Sequence, residues 1–331
     1  MVAHQAFILL LGSLMGPFNV DAASNGQVYS AALNGEELCS EADHKNGGPN
    51  TPLYNYASDG SDWKGVCQNG TAQSPIDLPG KSASSLSAIN STSTMVTFGG
   101  LEAIGNAVMR LEVDEIELIS GNWSNTGFTI PVCGSDIGCL MSPDATNVQH
   151  VTPNISNLHF HANSEHTRDG LYYGAEAHLV TSILINGTAK LTVFGVWMDL
   201  SGNQTNPLYA QLQPYVDDSY GADCAPVPEN TTFVIDTLFP ADKSYYGYRG
   251  SLTTPPCTEG VTWIVFTNPV KMSIPQVKSL YESSAHINQP CAQGSNNQIC
   301  NVFGARTNNR PLQPVNGRNI RIAMGPGASS S

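Results

Sequence analysis

The sequence predicts a mostly β protein with few helices. Three observations lead there. Runs rich in β-branched and aromatic residues recur along the chain. Only one stretch carries a helix-start signature. Pro and Gly are scattered rather than gathered in one linker, and no internal repeat is found, which favours one large domain. In order, Val108–Asp114 and Thr129–Val132 read as extended. Lys190–Met198 is apolar on both faces, which suits a central strand. Thr232–Ile235 and Val261–Phe266 are β-branched and aromatic. Ser273 opens the predicted helix as N-cap, Gln276 completes a capping box, and the helix runs through Tyr281.

Charge narrows the function. Of 331 residues only 12% are charged, against roughly 25% in an ordinary soluble protein. The 14 basic and 27 acidic residues leave a net charge of −13. Phosphate neutralisation needs clustered Lys and Arg, so a nucleic-acid partner is not expected, nor is docking on an anionic membrane. Ala6–Gly16 is a short apolar run, too short for a membrane span, and Val20-Asp21-Ala22 puts small residues at the −3 and −1 positions of a cleavage site. The expected organisation is a signal peptide over 1–22, an N-terminal extension over 23–44, one domain over 45–322 and a flexible tail over 323–331. No later segment is apolar enough to span a bilayer. The expected location is therefore secreted, extracellular or an equivalent periplasmic space.

Two counts agree with export. Asn-x-Ser/Thr sequons stand at Asn69, Asn90, Asn122, Asn154, Asn186, Asn203 and Asn230, so N-linked glycans are expected. The eight cysteines form no CxxC pair, and an even count in an exported chain reads as up to four disulfides. Cys133/Cys139 and Cys291/Cys300 are close enough to staple local loops.

The chemistry concentrates between residues 157 and 180. On a strand, i and i+2 face the same way. His159 and His161 therefore project from one face, and Glu176 and His178 again share a face about a dozen residues later. If the two strands pair antiparallel, three imidazoles converge. Three neutral His with one open position is how a catalytic zinc is held. Glu176 is suited to hold an imidazole through its second nitrogen.

This segment resembles the zinc-binding core of the α-class carbonic anhydrases. Gln73-Ser-Pro-Ile-Asp resembles that family's N-terminal signature, and Ser164-Glu-His-Thr follows the first two ligands as the family pattern requires. Ser251-Leu-Thr-Thr-Pro-Pro-Cys-Thr-Glu-Gly-Val-Thr-Trp-Ile-Val is close to its C-terminal signature, and Asn309-Arg-Pro-Leu-Gln-Pro also matches. The resemblance covers roughly residues 54 to 322. It implies a central, twisted, mostly antiparallel sheet of about ten strands, a few short helices, and an active-site cone opening onto the sheet.

The resemblance also implies roles. His159, His161 and His178 are the expected zinc ligands. Thr253 is similar to the residue that accepts a hydrogen bond from the zinc hydroxide, and Glu165 to the carboxylate that receives the Thr253 hydroxyl proton. Thr254 stands beside the substrate. Val180, Val193, Leu252, Val261 and Trp263 resemble the apolar wall where carbon dioxide rests. Asn157 and Glu176 support His159 and His178, and Tyr56 lies where the family has an active-site tyrosine. Cys67 and Cys257 are expected to be bonded, as in exported members. Proximity and elimination then leave Cys133–Cys139, Cys291–Cys300 and Cys39–Cys224. The implied reaction is reversible hydration of carbon dioxide to bicarbonate and a proton.

Two departures stand out. The family's shuttle histidine follows Asn-x-Gly, and here Asn125-Thr-Gly is followed by Phe128, so the shuttle histidine is absent and His150 is one candidate substitute. Ala162 follows His161 where an aromatic is common. The alternative function is a non-catalytic carbonic-anhydrase-like binding or storage glycoprotein, a class that typically loses zinc ligands.

Overall fold

The computed structural model describes residues 54, 56, 58, 60–89, 94–104, 107–111, 116–120, 122–134, 137, 139, 145–219, 224–287 and 307–325. The expected signal peptide and N-terminal extension, Asn90, Cys39, Cys291, Cys300 and residues 326–331 lie outside them.

Among the described residues, eleven strands form one large sheet. They are β1 (Ser87–Ile89), β2 (Ala107–Leu111), β3 (Ile116–Ser120), β4 (Asn154–Ala162), β5 (Ala175–Ile185), β6 (Thr188–Leu200), β7 (Cys224–Val227), β8 (Tyr245–Ser251), β9 (Glu259–Phe266), β10 (Val270–Met272) and β11 (Arg321–Ala323). The spatial order is β7-β2-β3-β4-β5-β6-β9-β8-β11-β1, with β10 beside β6. Neighbours are antiparallel except β6/β9, β6/β10 and β11/β1. The apolar Lys190–Met198 run lies inside β6, near the middle of the sheet. Thr232–Val234 joins a separate three-stranded sheet, and Ile130–Cys133 pairs with Val148–Val151. Asn186 and Gly187 connect β5 to β6 with φ of 50° and 77°. A two-residue hairpin loop with both φ positive favours Asn-Gly.

Alternation along the strands gives the sheet two different faces. Leu158, Phe160, Leu179, Phe194 and Val196 point to one face. They pack into a core with Leu208, Leu212 and Val216 of α2 (Pro207–Ser219) and Val277 and Leu280 of α3 (Ile274–Ile287), after the short α1 (Val66–Asn69). Each such side chain contributes about 1.5–3 kcal/mol by leaving water. The histidines stand on the opposite face. None of the helices among the described residues is long and apolar enough to cross a membrane.

The helix α3 begins at Ser273 as the capping signature predicts, with the Ser273 N–H donating to Gln276 Oε1 at 3.1 Å, and it continues to Ile287. The helix α2 was not foreseen. Its signal is Asn206-Pro207: Asn206 Oδ1 accepts the Tyr209 N–H at 2.9 Å, and Pro207 occupies the first turn, where its missing N–H costs nothing. At the C-terminal end, Ala323 was expected to open the tail. It instead closes β11, and the Gly325 N–H donates to Ser244 Oγ at 2.8 Å.

Candidate metal and active site

Strand pairing decides which side chains meet. In the β4/β5 register His178 lies opposite His159, and Glu176 opposite His161. The three imidazole centroids are 4.6–5.2 Å apart, and one ligand atom from each lies within 4.8 Å of the others. Each ring is held from behind by an acceptor. His159 Nδ1 donates to Asn157 Oδ1 at 2.9 Å, His161 Nδ1 to the Asn308 carbonyl at 2.8 Å, and His178 Nε2 to Glu176 Oε1 at 2.9 Å. These partners place each neutral ring's proton on its outer nitrogen. The inner nitrogens, His159 Nε2, His161 Nε2 and His178 Nδ1, are then lone pairs. Two of them face each other at 3.1 Å with no proton to share. The third is buried without a hydrogen bond. Three converging, unprotonated imidazole nitrogens fit a cation that takes nitrogen ligands tetrahedrally and leaves one position open, which is the chemistry of zinc. Burial pushes the His159 pKa well down, and neighbouring His178 and His161 push it further; burial likewise lowers that of His178 against the pull of Glu176. Neutral rings are the ligating form.

Glu176 is the hub behind the rings. Its Oε2 accepts the N–H groups of Glu165 and His166 at 3.0 and 2.8 Å. Its Oε1 accepts His166 Nδ1 at 2.7 Å as well as His178 Nε2. Burial alone would raise its pKa, but His166 and His178 outweigh that and hold it well below the usual carboxylate range. His166 Nε2 in turn accepts the Tyr248 hydroxyl at 2.7 Å, and Tyr248 accepts Ser74 Oγ at 2.7 Å. Gly195 lies across from His178 on β6. A Cβ there would sit 2.9 Å from Glu176 Oε1, so the carboxylate occupies the space that glycine leaves.

Beside the rings, Glu165 Oε1 accepts the Arg310 N–H at 2.8 Å. The hydrogen bond expected from Thr253 to Glu165 is not formed. Glu165 Oε2 has no hydrogen-bond partner and turns instead toward His161 Nε2 at 3.6 Å and His178 Nδ1 at 3.9 Å. Thr253 and Thr254 are buried in the loop that follows Ser251. The Cys67–Cys257 disulfide is formed, with Cα atoms 4.9 Å apart, and so is Cys133–Cys139. Cys257 has a left-handed φ of 56°, and its N–H closes the loop onto the Thr254 carbonyl at 2.8 Å. Val180, Val193, Leu252, Val261 and Trp263 form one apolar cluster, and the Trp263 ring lies 4.8 Å from that of His178.

Other expected residues sit elsewhere. Phe128 does not face the imidazoles. Its fully buried ring is 5.0 Å from that of Phe194, which points to the opposite face of the sheet, and it packs with Phe98 and Phe239. An apolar ring gains by joining that aromatic core, so Phe128 is no occupant of a proton-shuttle position. His150 is exposed on Val148–Val151, with Nδ1 2.9 Å from Thr129 Oγ1. Tyr56 packs 5.3 Å from the Trp63 ring, in a small cluster with the Cys67–Cys257 bridge. Ala162 pairs with Ala175 on the core face, so small residues from both strands share the space behind the metal site. Several residues carry the site without having been singled out: Asn308, Arg310, His166, Tyr248 and Ser74. Glu117 is another, a buried residue directly across from His159 on the same face. His166, Ser74 and Arg310 lie inside the motifs quoted above, but nothing in their spacing states a role.

The family model described as eukaryotic-type carbonic anhydrase matches residues 58–324. A carbonic anhydrase of Pectobacterium atrosepticum is 31% identical over 198 residues, covering 59% of this chain and 66% of that relative's length. A carbonic anhydrase of Klebsiella pneumoniae is 29% identical over 255 residues, covering 76% of this chain and 80% of that protein. Among solved structures, the α-carbonic anhydrase of Thermovibrio ammonificans in complex with sulfanilamide is 26% identical. It covers 77% of this chain and 89% of its own, with a TM-score of 0.51.

Proposed function

Because the chain belongs to the eukaryotic-type carbonic anhydrase family, we propose that it catalyses the zinc-dependent, reversible hydration of carbon dioxide to bicarbonate and a proton. The observation that carries this reading is the set of three inward imidazole lone pairs, backed by Asn157, Asn308 and Glu176. His159 Nε2, His161 Nε2 and His178 Nδ1 would hold the zinc, which when bound would supply the Lewis acidity that lowers the pKa of water toward neutrality. The chain's own residues do the rest. Asn157, Asn308 and Glu176 fix the ring tautomers, so no ligand must lose a proton or reorient. The wall of Val180, Val193, Leu252, Val261 and Trp263 offers carbon dioxide, a small uncharged molecule, an apolar resting surface beside His178. Thr253 and Thr254 supply hydroxyls at the edge of that wall, and Glu165 supplies an acceptor oxygen not engaged elsewhere. These groups orient the reactants rather than take protons from them. The test pairs zinc content per chain with stopped-flow carbon dioxide hydration, before and after removal of metal by a chelator. One zinc per chain and hydration that disappears with the metal is the expected result. Hydration that survives full metal removal would overturn the reading, and bound zinc without hydration would favour the binding or storage alternative.

Export completes the proposal. The apolar run Ala6–Gly16, the cleavage pattern at Val20–Ala22 and two formed disulfides support an oxidising compartment outside the cell. A mature chain beginning at residue 23 is expected on N-terminal sequencing of the secreted protein.

A further inference from the structure

The register of the large sheet sorts its strand ends into two groups. Ser120, Asn154, the Ile185–Thr188 hairpin, Val227, Ser251 and Glu259 lie at one end, and Ile116, Ala162, Ala175, Leu200 and Phe266 at the other. Six of the seven sequons, all but Asn90, stand on described residues, and these six divide unequally between the two ends. Asn154 opens β4, Asn186 is in the β5–β6 hairpin, Asn122 follows Ser120 by two residues, and Asn230 follows Val227 by three. Asn69 joins them, because Cys67 is bonded to Cys257 and the Ala72 N–H donates to Glu259 Oε1 at 2.7 Å. Asn203, three residues past Leu200, lies at the opposite end. All six of these asparagines are exposed. The buried asparagines Asn157, Asn163, Asn206 and Asn308 each lack the Ser or Thr two residues on.

We infer that the chain is N-glycosylated mainly at one end, on Asn69, Asn122, Asn154, Asn186 and Asn230, and that this is the end from which the Thr253–Cys257 loop departs. The inference rests on the export reading above. In the reaction the asparagine amide nitrogen attacks the anomeric carbon of an oligosaccharide carried on a polyprenyl diphosphate. A nitrogen–carbon bond forms, the carbon–oxygen bond to the diphosphate breaks, the amide loses one proton and the polyprenyl diphosphate leaves. The transferred sugar is bulky and hydrophilic. It adds polar surface to a chain with only 12% charged residues, and it places a polar collar around the end where the Thr253 loop lies. Carbon dioxide and bicarbonate are small enough to pass such a collar.

The test expresses the full chain in a eukaryotic secretory host, once with its own leader and once with residues 1–22 replaced by a heterologous leader. The secreted protein is treated with a peptide N-glycosidase in heavy-oxygen water and mapped by mass spectrometry. Heavy-oxygen aspartate at four or five of the five positions is the expected result. Conversion at three or fewer, or at Asn203 alone, would overturn the inference. Secretion only with the heterologous leader would defeat the export reading and leave the map to decide the acceptor sites. Removing the sugars from the folded protein should leave kcat/KM for carbon dioxide within twofold, whereas a larger change would contradict free passage through the collar.

Discussion

Glu176 shows how much of the site can hang on one side chain. Its two oxygens accept from two backbone N–H groups and two imidazoles, all buried. Gln in its place turns an N–H toward one of those donors, and an unsatisfied buried group costs about 1–3 kcal/mol. Loss of such a partner behind a metal-binding histidine typically lowers metal affinity by about 10–100-fold. Glu176→Gln is therefore expected to keep its zinc at saturation but to lose it in a competitive chelator titration at a concentration lower by that factor. Unchanged affinity would remove Glu176 from the supporting role. A different residue sets a pH dependence. Partial burial opposes ionisation of Asp242, but its bonds to Ser244 and Asn268, with Lys81 nearby, outweigh that and lower its pKa. A carboxylate depressed in the folded state stabilises fully above its unfolded pKa, and loses that contribution as pH falls through the folded value. Asp242→Asn should thus be less stable than the parent at pH 7 in urea unfolding, with the two curves converging as the pH drops well below the carboxylate range. At this scale the imidazoles and Glu176 were legible, because period-two alternation puts His159 with His161 and Glu176 with His178, and antiparallel pairing of the two strands joins the pairs. Asn308 and Arg310 were not, because they reach His161 and Glu165 across separations of 147 and 145 residues. Phe128 was misread because Asn-x-Gly describes a turn and says nothing about which face the next ring takes.

At the scale of elements, three adjacent strands build the metal site and each leaves a mark. β4 and β5 supply the ligands, and β6 supplies the space for Glu176 at Gly195. The alternation of His with Leu, Phe and Ala in 158–162 made β4 readable, and the two-sided apolar run made β6 readable. The extended run predicted from Val108 supplies β2, but its neighbour β3 and the helix α2 were not readable, since β3 is short and α2 is announced only by Asn206-Pro207. Gly195→Ala tests the close approach. The new methyl would also lie 3.3 Å from Val265 Cγ2, and Glu176 Oε1 is pinned by two imidazoles and has little room to retreat. Overpacking of this kind costs about 1–3 kcal/mol, so a lower Tm together with weaker zinc retention is expected. A lower Tm with zinc affinity intact would show that the strain is relieved away from Glu176. Phe128→His tests the other face. The ring fills an aromatic core with Phe98, Phe194 and Phe239, and a buried polar group without a partner costs about 1–3 kcal/mol by protein mutational data. The expected outcome is a destabilised enzyme whose kcat in dilute buffer does not rise. A stable variant with faster turnover at low buffer would return position 128 to the proton path.

For the whole molecule, the question is what holds three distant parts of the chain around one sheet. Residues 67–76, 251–259 and 307–323 meet beside Glu165, and two devices bind them. Arg310, buried, donates from its guanidinium to the carbonyls of Ser74 and Cys67, each at 2.7 Å, while its backbone N–H holds Glu165. The Cys67–Cys257 bridge joins residues 190 apart in sequence. Neither was derivable from composition or periodicity. The bridge was expected only through the family resemblance, and the Arg310 clamp needed coordinates. In the chain-entropy account a bridge closing so long a loop stabilises by about 5 kcal/mol, acting through the unfolded chain. Its location adds a second effect. Cys257 closes the loop that carries Thr253 and Thr254, and the Cys67 carbonyl is one anchor of the arginine that holds Glu165. The acceptors behind His159, His161 and His178 are Asn157, Asn308 and Glu176, and these three hydrogen bonds do not run through the bridge. Replacing both cysteines by serine should therefore separate two properties that usually fall together. Chemical unfolding should show a loss of about 2–5 kcal/mol, the range seen when native bridges are removed. At a temperature where the variant is folded, zinc should remain near one per chain while kcat/KM for carbon dioxide falls, because the loop bearing Thr253 and the anchor of Glu165 are released together. Zinc lost in parallel with activity would mean that the bridge supports the metal site itself. Full activity in the folded, bridge-free protein would confine its role to stability.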